Sequence, residues 1–284
     1  ISIVSHSFRS LRIGLDCANG SSWMIAPAIF EALGATTYVI NASPDGQNIN
    51  HNAGSTHIEG LVKLVREQHL DVGFAFDGDA DRCLAVDENG NVVSGDHILY
   101  ILANQLKRKG ILNHDTIVAT VMSNGGLTKA LREVGINTVK TAVGDRYVYE
   151  AMMKDGYLLG GEQSGHIILQ KYATTGDGIL TALMLMEEIL DRKSTLGKLA
   201  SPVKIFPQSL INIKVPDKDA VMNDEHVKSI VREIEEELGE NGRILLRKSG
   251  TENVIRVMVE CENEEQCNSC AEKAAAYIRE RYGK

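Results

Sequence analysis

The stretch Val72-Gly73-Phe74-Ala75-Phe76-Asp77-Gly78-Asp79-Ala80-Asp81-Arg82 decides how the chain is interpreted. Its first five residues are apolar or glycine, as in a buried strand, and the strand-like run Cys83 to Val86 follows it. Three carboxylates at alternate positions of a tight loop can turn toward one point, and hard anionic oxygens suit a divalent cation such as Mg²⁺. Arg82 adds a planar cation suited to phosphate beside the metal. The candidate metal ligands are Asp77, Asp79 and Asp81.

Other interpretations of this acidic loop fit its sequence less well. An EF-hand needs Gly at the sixth loop position and Glu at the twelfth. Glu88 satisfies the twelfth, but Arg82 occupies the sixth and both flanks predict strands. A phosphatase loop would make Asp77 a nucleophile, which leaves the third aspartate and the arginine unexplained. A solvated acidic turn is the default for a charge run, but the regular spacing after a buried strand disfavours it.

Composition limits the class of protein. A chain of 284 residues with 43% hydrophobic residues predicts two or three globular domains. The net charge of −8 argues against binding to nucleic acid or to a membrane surface. The sequence has neither a secretory signal nor an apolar run of membrane-spanning length, so we expect a cytoplasmic protein. Since the chain begins with Ile1, we interpret it as a processed or truncated piece.

The five cysteines predict thiols rather than disulfides. Their number is odd and their spacing scattered, as in a cytosolic protein. Cys267 and Cys270 form a Cys-x-x-Cys pair, but they share the apolar face of a predicted helix with Ala271, Ala274 and Ile278. No second pair completes a zinc set, so core packing is the better interpretation.

Strand-like and helix-like segments alternate through the first two thirds of the chain, which predicts α/β domains with mainly parallel sheets and crossover helices. The order strand, Asn-Gly turn, helix, Gly, strand occurs twice, beginning at Leu15 and at Val121. This repetition favours two α/β domains of similar topology, although two unrelated βαβ units would look the same. After Pro207 the pattern becomes that of a compact α+β domain. We predict domains at residues 1–93, 94–203 and 204–284.

Two further loops carry chemistry. Gly160-Gly161-Glu162-Gln163-Ser164-Gly165-His166 combines backbone freedom with groups that suit a sugar or an amine, and His166 can move a proton near neutral pH. Arg247-Lys248-Ser249-Gly250-Thr251-Glu252-Asn253, with Arg256 beyond it, concentrates the cations and hydroxyls that bind phosphate. Taken alone, the first could be a structural turn and the second a polar hairpin. We refer below to the metal loop (77–82), the sugar loop (161–166) and the cradle loop (247–253).

The three loops resemble those of the α-D-phosphohexomutases. The metal loop is similar to the family's Asp-Gly-Asp-x-Asp-Arg, the sugar loop to Gly-Glu-x-Ser-Gly-His, and the cradle loop to Arg-x-Ser-Gly-Thr-Glu. The forms Glu162-Gln163-Ser164-Gly165-His166 and Ala142-Val143-Gly144-Asp145-Arg146 most resemble members that act on glucosamine phosphates. The resemblance implies interconversion of glucosamine 6-phosphate and glucosamine 1-phosphate, on the route to UDP-N-acetylglucosamine and the cell wall. It further implies a phosphoserine enzyme, a sugar bisphosphate intermediate and Mg²⁺.

The resemblance also implies a role for each loop residue. Asp77, Asp79 and Asp81 would bind Mg²⁺, and Arg82 would contact the transferring phosphoryl group. Glu162 and Ser164 would hold the sugar, and His166 would be the candidate acid/base. The non-reacting phosphate would contact Arg247, Ser249, Gly250, Thr251 and Arg256.

The chain departs from the family pattern in two respects. Lys248 and Asn253 stand where proline is usual, so the cradle loop is expected to be less stiff. The nucleophile motif Thr-Ala/Ser-Ser-His-Asn, which belongs to a preceding domain in the family, is missing from these residues. Val4-Ser5-His6-Ser7 only partly matches it, and we interpret that segment as linker. The chain alone is therefore expected to be inactive. The alternatives are a phosphomannomutase or phosphoglucomutase, and a non-catalytic sugar-phosphate-binding module.

Overall fold

The structure, a computed structural model, describes residues 3–249 and 252–283, without the side chain of Glu240. The chain divides into two compact units, residues 1–123 with 127–203 and residues 124–126 with 204–284. The first unit holds two α/β sheets and the second holds one antiparallel sheet. Gly250 and Thr251 of the cradle loop lie outside the described residues.

The first sheet of unit 1 carries the metal loop. Its strands lie in the order β2-β1-β3-β4-β5, with β1 parallel to β2 and β3, and with β3, β4 and β5 antiparallel. The elements are β1 (Arg12–Asp16), α1 (Ser22–Ala32), β2 (Thr36–Ile40), α2 (Glu59–Gln68), β3 (Val72–Phe76), β4 (Cys83–Val86) and β5 (Val92–Val93), with a 3₁₀ turn at Gly54–Thr56. Every residue of β3 is buried, which agrees with its uninterrupted apolar sequence.

The second sheet of unit 1 carries the sugar loop, in the order β7-β6-β8-β9. The elements are α3 (Gly95–Arg108), β6 (Thr116–Thr120), α4 (Gly125–Glu133), β7 (Asn137–Thr141), α5 (Asp145–Asp155), β8 (Leu159–Gly161), β9 (Ile167–Leu169), α6 (Gly178–Asp191) and α7 (Leu196–Ala200), with a 3₁₀ turn at Asn113–Asp115. Strand β6 is parallel to β7 and β8, and β8 is antiparallel to β9.

The two sheets share one topology. In each, the first strand lies between the second and third as their parallel partner, and the fourth pairs antiparallel with the third. The prediction of two similar α/β parts is therefore confirmed. The metal loop and the sugar loop each occupy the same place in their sheets, the link between the third and fourth strands.

Unit 2 is a smaller α+β structure, as the sequence predicted. Its elements are β10 (Gln208–Lys214), α8 (Lys218–Asn223), α9 (Glu225–Leu238), β11 (Gly242–Lys248), β12 (Val254–Cys261) and α10 (Glu264–Tyr282), with a 3₁₀ turn at Gly239–Asn241. The strands lie in the antiparallel order β10-β12-β11. The carboxylate of Glu260 is 1% exposed and accepts hydrogen bonds from Asn124 Nδ2 (3.0 Å) and from the Gly125 amide (2.8 Å).

Two smaller predictions are also settled by the fold. All five cysteines are buried free thiols, and Cys267 and Cys270 face the core of unit 2 from α10. The interpretation of Val4 to Ser7 as a simple linker is incomplete, because Ser5 Oγ and the His6 amide donate to the buried carboxylate of Glu187 on α6 at 2.6 and 2.9 Å. Among the helices of the described residues, none has the length and apolarity needed to cross a membrane.

The boundaries predicted at 93/94 and 203/204 stay a prediction.

Candidate functional site

The metal loop is the link of a β-hairpin. Phe76 pairs with Cys83 across β3 and β4, so residues 77–82 leave and re-enter the sheet at neighbouring positions. Asp77 Oδ1 accepts a hydrogen bond from the Arg82 amide at 3.1 Å, and the Ala80 amide donates to the Asp77 carbonyl at 3.1 Å. Ala80 takes a positive φ of 62°. These contacts curl the loop so that alternate side chains converge.

The three aspartates converge as the spacing predicted. One carboxylate oxygen from each of Asp77, Asp79 and Asp81 lies within 4.8 Å of the other two. Asp77 is buried, Asp81 is half-buried and Asp79 is exposed. Burial, together with the neighbouring charges of Asp81 and Asp79, raises the pKa of Asp77 to about 6, although the bond from the Arg82 amide opposes this. Such crowding of like charge is what a bound cation relieves.

The donor set of the metal loop fits a hard divalent cation. All of its candidate ligand atoms are carboxylate oxygens, which Mg²⁺ prefers. Asp81 Oδ1 is buried and has no hydrogen-bond partner. A buried acceptor without a partner costs free energy, so this oxygen is suited to a ligand. Arg82 Nε lies 3.7 Å from Asp77 Oδ2, too far for a hydrogen bond, and its side chain is partly exposed.

The sugar loop is also a hairpin link. The Glu162 amide donates to the His166 carbonyl at 3.0 Å, and the Gly165 amide donates to the Glu162 carbonyl at 3.0 Å. Glu162 Oε1 accepts a hydrogen bond from the Gly144 amide at 3.0 Å. Glu162 and Ser164 are both half-buried. The loop thus presents a carboxylate and a hydroxyl at the surface of unit 1 on a hydrogen-bonded backbone.

The metal loop and the sugar loop are joined through their backbones. Arg82 and His166 form an antiparallel bridge, and the Cys83 amide donates to the Gly165 carbonyl at 3.0 Å. Gly165 has a φ of +94°, and a Cβ there would lie 2.3 Å from the Cys83 carbonyl oxygen. Only glycine fits this approach. The sequence predicted both loops but not that they would touch.

His166 packs against the metal loop. Its side chain is 3% exposed, and Nε2 lies 3.3 Å from Asp81 Oδ2. Neither ring nitrogen has a well-aligned hydrogen-bond partner. The imidazole therefore neighbours a candidate metal ligand, and its acid/base role stays a prediction.

The segment Gly176-Asp177-Gly178 supports the metal loop from a third direction. The Gly178 amide donates to the Ala80 carbonyl at 2.8 Å, and a Cβ at Gly176 would lie 2.6 Å from His166 Nε2. The Asp177 carboxylate caps α6 by accepting from the Leu180 amide at 2.9 Å. The sequence analysis did not identify the supporting role of the two glycines. The sequence signal for this role was the pair Gly176 and Gly178 on either side of the N-cap residue Asp177.

The cradle loop belongs to unit 2 and joins β11 to β12. Arg247 and Arg256 are register partners on adjacent strands, and both are exposed. Like charges at opposite positions repel, and among the described residues neither guanidinium has an ion-pair partner. Ser249 is 5% exposed; its amide donates to the Val254 carbonyl at 2.9 Å, and its Oγ accepts from the Glu252 amide at 3.3 Å. This paired positive charge suits an anion.

Comparisons with known proteins agree with this architecture. Family models match residues 2–90, 94–206 and 210–276, and they describe α/β/α domain II, α/β/α domain III and the C-terminal domain of phosphoglucomutase/phosphomannomutase. A phosphoglucosamine mutase of Lachnospira eligens is 57% identical over 98% of the chain and 62% of the relative's length. One of Lachnoclostridium phytofermentans is 53% identical over 99% and 63%. The chain thus spans somewhat less than two thirds of these relatives.

Solved structures show the same fold at low sequence identity. An Aspergillus fumigatus N-acetylphosphoglucosamine mutase superposes with a TM-score of 0.77 at 19% identity, covering 98% of this chain and 62% of the other. Another structure of that fungal enzyme, in complex with GlcNAc-6P and magnesium, has a TM-score of 0.74 at 18% identity, covering 98% and 63%. The family models account for nearly the whole sequence, and the chain belongs to the phosphoglucomutase/phosphomannomutase family.

Proposed function

We propose that the chain carries the metal-, sugar- and phosphate-binding parts of a phosphoglucosamine mutase. The reaction would interconvert glucosamine 6-phosphate and glucosamine 1-phosphate, and so serve synthesis of UDP-N-acetylglucosamine and peptidoglycan precursors in the cytoplasm. The choice of sugar is supported by relatives of that name at 57% and 53% identity over almost the entire chain.

One observation carries the chemical part of the proposal. The metal loop and the sugar loop are hydrogen-bonded to each other, so the carboxylates for a cation and the groups for a sugar lie in one compact unit. A phosphoryl group bound at the metal loop would lie beside a sugar bound at the neighbouring loop. Phosphoryl transfer depends mainly on such positioning and on charge neutralisation.

Mg²⁺ would be held by Asp77, Asp79 and Asp81. When bound, the ion would neutralise charge on the transferring phosphoryl group. Arg82, whose side chain is partly exposed, would contact the same phosphoryl oxygens through its guanidinium group. His166 would keep the Asp81 carboxylate in place, and it is also the candidate acid/base.

The sugar would be recognised by Glu162 and Ser164. Glu162 Oε1 already accepts a hydrogen bond from the Gly144 amide. The other oxygen, Oε2, would accept a hydrogen bond from a substrate ammonium or hydroxyl. Ser164 would donate to and accept from hydroxyls. The ammonium of glucosamine would form a charge-assisted bond with Glu162 that glucose cannot form.

The cradle loop would bind the non-reacting phosphate. Arg247 and Arg256 supply adjacent positive charge, and the hydroxyl of Ser249 lies at the loop. Gly250 and Thr251 complete the proposed phosphate contacts as implied by the family motif. Unit 2 would then act on a different phosphate from the one transferred.

The reaction would use a phosphoserine and a bisphosphate intermediate, as in the family. The Thr-Ala/Ser-Ser-His-Asn motif does not occur in these 284 residues. The partial match Val4-Ser5-His6-Ser7 contains Ser5, whose hydroxyl donates to Glu187. We therefore expect the chain by itself to bind sugar phosphates without turning them over.

Binding calorimetry tests the proposed function. Glucosamine 6-phosphate, glucose 6-phosphate and mannose 6-phosphate are titrated into the 284-residue chain with Mg²⁺. We expect the amino sugar to bind tightest, and Glu162→Gln to remove that preference. The matched control is Glu150→Gln, which alters an exposed carboxylate paired with Arg146 on α5.

The outcomes separate the candidate functions. Tighter binding of mannose or glucose 6-phosphate would favour a phosphomannomutase or phosphoglucomutase. An unchanged preference in Glu162→Gln would remove Glu162 from amino-sugar recognition. Turnover by the chain, in protein free of host mutase, would contradict the expected inactivity.

A further inference from the structure

Lys218 lies where it can fix the shape of the cradle loop. It is the first residue of α8, and its Nζ donates to two main-chain carbonyls, Ser249 O at 2.8 Å and Glu252 O at 2.9 Å. These carbonyls flank residues 250 and 251. One ammonium group therefore holds Ser249 and Glu252 together, and the proposed function assigns Ser249 to phosphate binding.

A second contact from the same helical turn holds the strand that enters the loop. Asp219 forms an ion pair with Lys248, the last residue of β11. Consecutive residues of α8 thus contact the cradle loop through opposite charges. Lys218 donates hydrogen bonds to carbonyl oxygens, whereas Asp219 pairs with the side chain of Lys248.

The turn that presents Lys218 is itself anchored. The Asp217 carboxylate accepts from the amides of Asp219 (2.8 Å) and Ala220 (3.0 Å), which caps the helix. Val221, in the next turn, is fully buried in the core of unit 2. Since α8 is fixed at its cap and by its apolar side chain, it can serve as a support for the loop.

The sequence explains why such support matters here. Proline at positions 248 and 253 would restrict the backbone without outside help, but this chain has Lys248 and Asn253. A loop without that stiffness loses more conformational entropy when it binds a phosphate. Contacts that order the loop beforehand reduce this loss.

We propose that Lys218 is a positioning residue that holds Ser249 and Glu252 of the cradle loop in the arrangement that favours phosphate binding. The inference rests on the proposed function for the ligand, and it assigns Lys218 a role through the loop backbone rather than through contact with the phosphate. Its two acceptors are carbonyl oxygens of the protein, so two of the three ammonium protons are already used.

Amide hydrogen exchange tests the loop without any ligand. The Glu252 amide donates to Ser249 Oγ, and the Ser249 amide donates to the Val254 carbonyl. We expect Lys218→Met to speed exchange at Glu252 by about tenfold or more, because it removes two hydrogen bonds from a charged donor. Lys218→Arg should restore protection, because a guanidinium can also donate to two carbonyls. Unchanged exchange in Lys218→Met overturns the proposal.

Phosphate binding supplies the second readout. Glucosamine 6-phosphate is titrated into the 284-residue chain, and Lys218→Met should weaken its binding by about tenfold. Lys228→Met is the matched control, since it removes an equal charge from the surface of α9, where Lys228 pairs with Glu225. The control should bind like the unmodified chain.

Salt separates loop positioning from simple charge attraction. At about 1 M salt the screening length falls to about 3 Å. If Lys218 acted only by attracting the anion, the ratio of affinities between the unmodified chain and Lys218→Met would approach one under these conditions. Positioning predicts that the ratio persists, and its disappearance overturns the proposal.

Arg247→Ala distinguishes failure of this inference from failure of the proposed function. If Arg247→Ala weakens binding and Lys218→Met does not, the cradle loop binds phosphate and the role of Lys218 is wrong. If neither variant alters binding, or if the unmodified chain does not bind the sugar phosphate, the proposed function of the cradle fails. In that case the amide exchange rate at Glu252 alone decides whether Lys218 orders the loop.

Discussion

Replacing Gly165 with alanine should separate the sugar loop from the metal loop. Two effects add. The first is the positive φ of +94°, which costs an L-residue about 1–2 kcal/mol. The second is steric, because the new Cβ would lie 2.3 Å from the Cys83 carbonyl oxygen and 2.8 Å from its carbon. Both neighbours are backbone atoms, so no side-chain rotation can relieve the contact.

The steric cost follows from the hydrogen bond between the loops. Ordinary van der Waals contact begins near 3.4 Å, whereas the new Cβ would lie 2.3 Å from the Cys83 carbonyl oxygen. The two backbones must therefore move apart by roughly an ångström, which also weakens their dispersion contacts. That movement breaks the 3.0 Å bond from the Cys83 amide to the Gly165 carbonyl. Loss of a buried hydrogen bond that leaves a donor unpaired costs about 1–3 kcal/mol. Together with the conformational cost, we expect a total loss of about 2–5 kcal/mol from Gly165→Ala.

Gly46→Ala is the matched control. Gly46 has a similar φ of +87°, but a Cβ there would meet nothing within 4 Å. It should show only the conformational cost, about 1–2 kcal/mol. Urea unfolding followed by fluorescence of Trp23, the single tryptophan, reports on unit 1. Calorimetry with Mn²⁺ should show weaker binding to Gly165→Ala alone. Equal losses of stability in the two variants, with equal metal affinity, would refute the contact between the loops.

Three further predictions concern single side chains. Asp79→Asn should weaken Mn²⁺ binding about tenfold or more, whereas Glu67→Gln, on an exposed face of α2, should not; equal calorimetric titrations of the two variants would mean that the loop is not the metal site. Burial raises the pKa of Glu187, but hydrogen bonds from Ser5 and His6 outweigh it and leave the pKa below its ordinary 4.5. The stabilisation from these bonds is thus present above pH 4.5 and is lost as the pH falls through the lowered pKa. The difference in unfolding free energy between the unmodified chain and Glu187→Gln should therefore shrink in acid, and a difference that stays constant with pH would contradict this. Glu260→Ala should destabilise unit 2 by about 3 kcal/mol, because it removes a buried carboxylate that accepts hydrogen bonds from Asn124 Nδ2 and from the Gly125 amide; a loss well under 1 kcal/mol in thermal unfolding would refute that account.

The metal loop could be predicted because its information is local. A buried run ending in alternating carboxylates specifies a strand, a turn and a cluster of oxygens within eleven residues. The same holds for α10, whose apolar spacing predicted the buried faces of Cys267 and Cys270. In both cases one period of the backbone places the side chains. No information from distant parts of the chain was needed.

The contact between the metal loop and the sugar loop could not be predicted because its information is not local. Gly95, Gly165 and Gly176 each lie where a Cβ would come within 3 Å of another segment's atoms. In the sequence they read only as glycines in turns. Their requirement appears once the backbones of 77–82 and 161–166 approach, and that approach depends on how the two sheets pack. The role of Lys218 is hidden for the same reason, since its acceptors are carbonyl oxygens, which every residue has.

These close approaches explain why the metal loop can hold converging carboxylates at all. Three like charges within 4.8 Å repel, and an unsupported loop would relieve the repulsion by opening. The Gly165 carbonyl holds the loop's end at Cys83, and the Gly178 amide holds its middle at Ala80. Since both restraints act on backbone atoms, they leave the carboxylates available to a ligand. The fold of unit 1 thus holds the three carboxylates close together despite their repulsion. A cation that neutralises this repulsion would bind more tightly here than to the same aspartates in a free peptide.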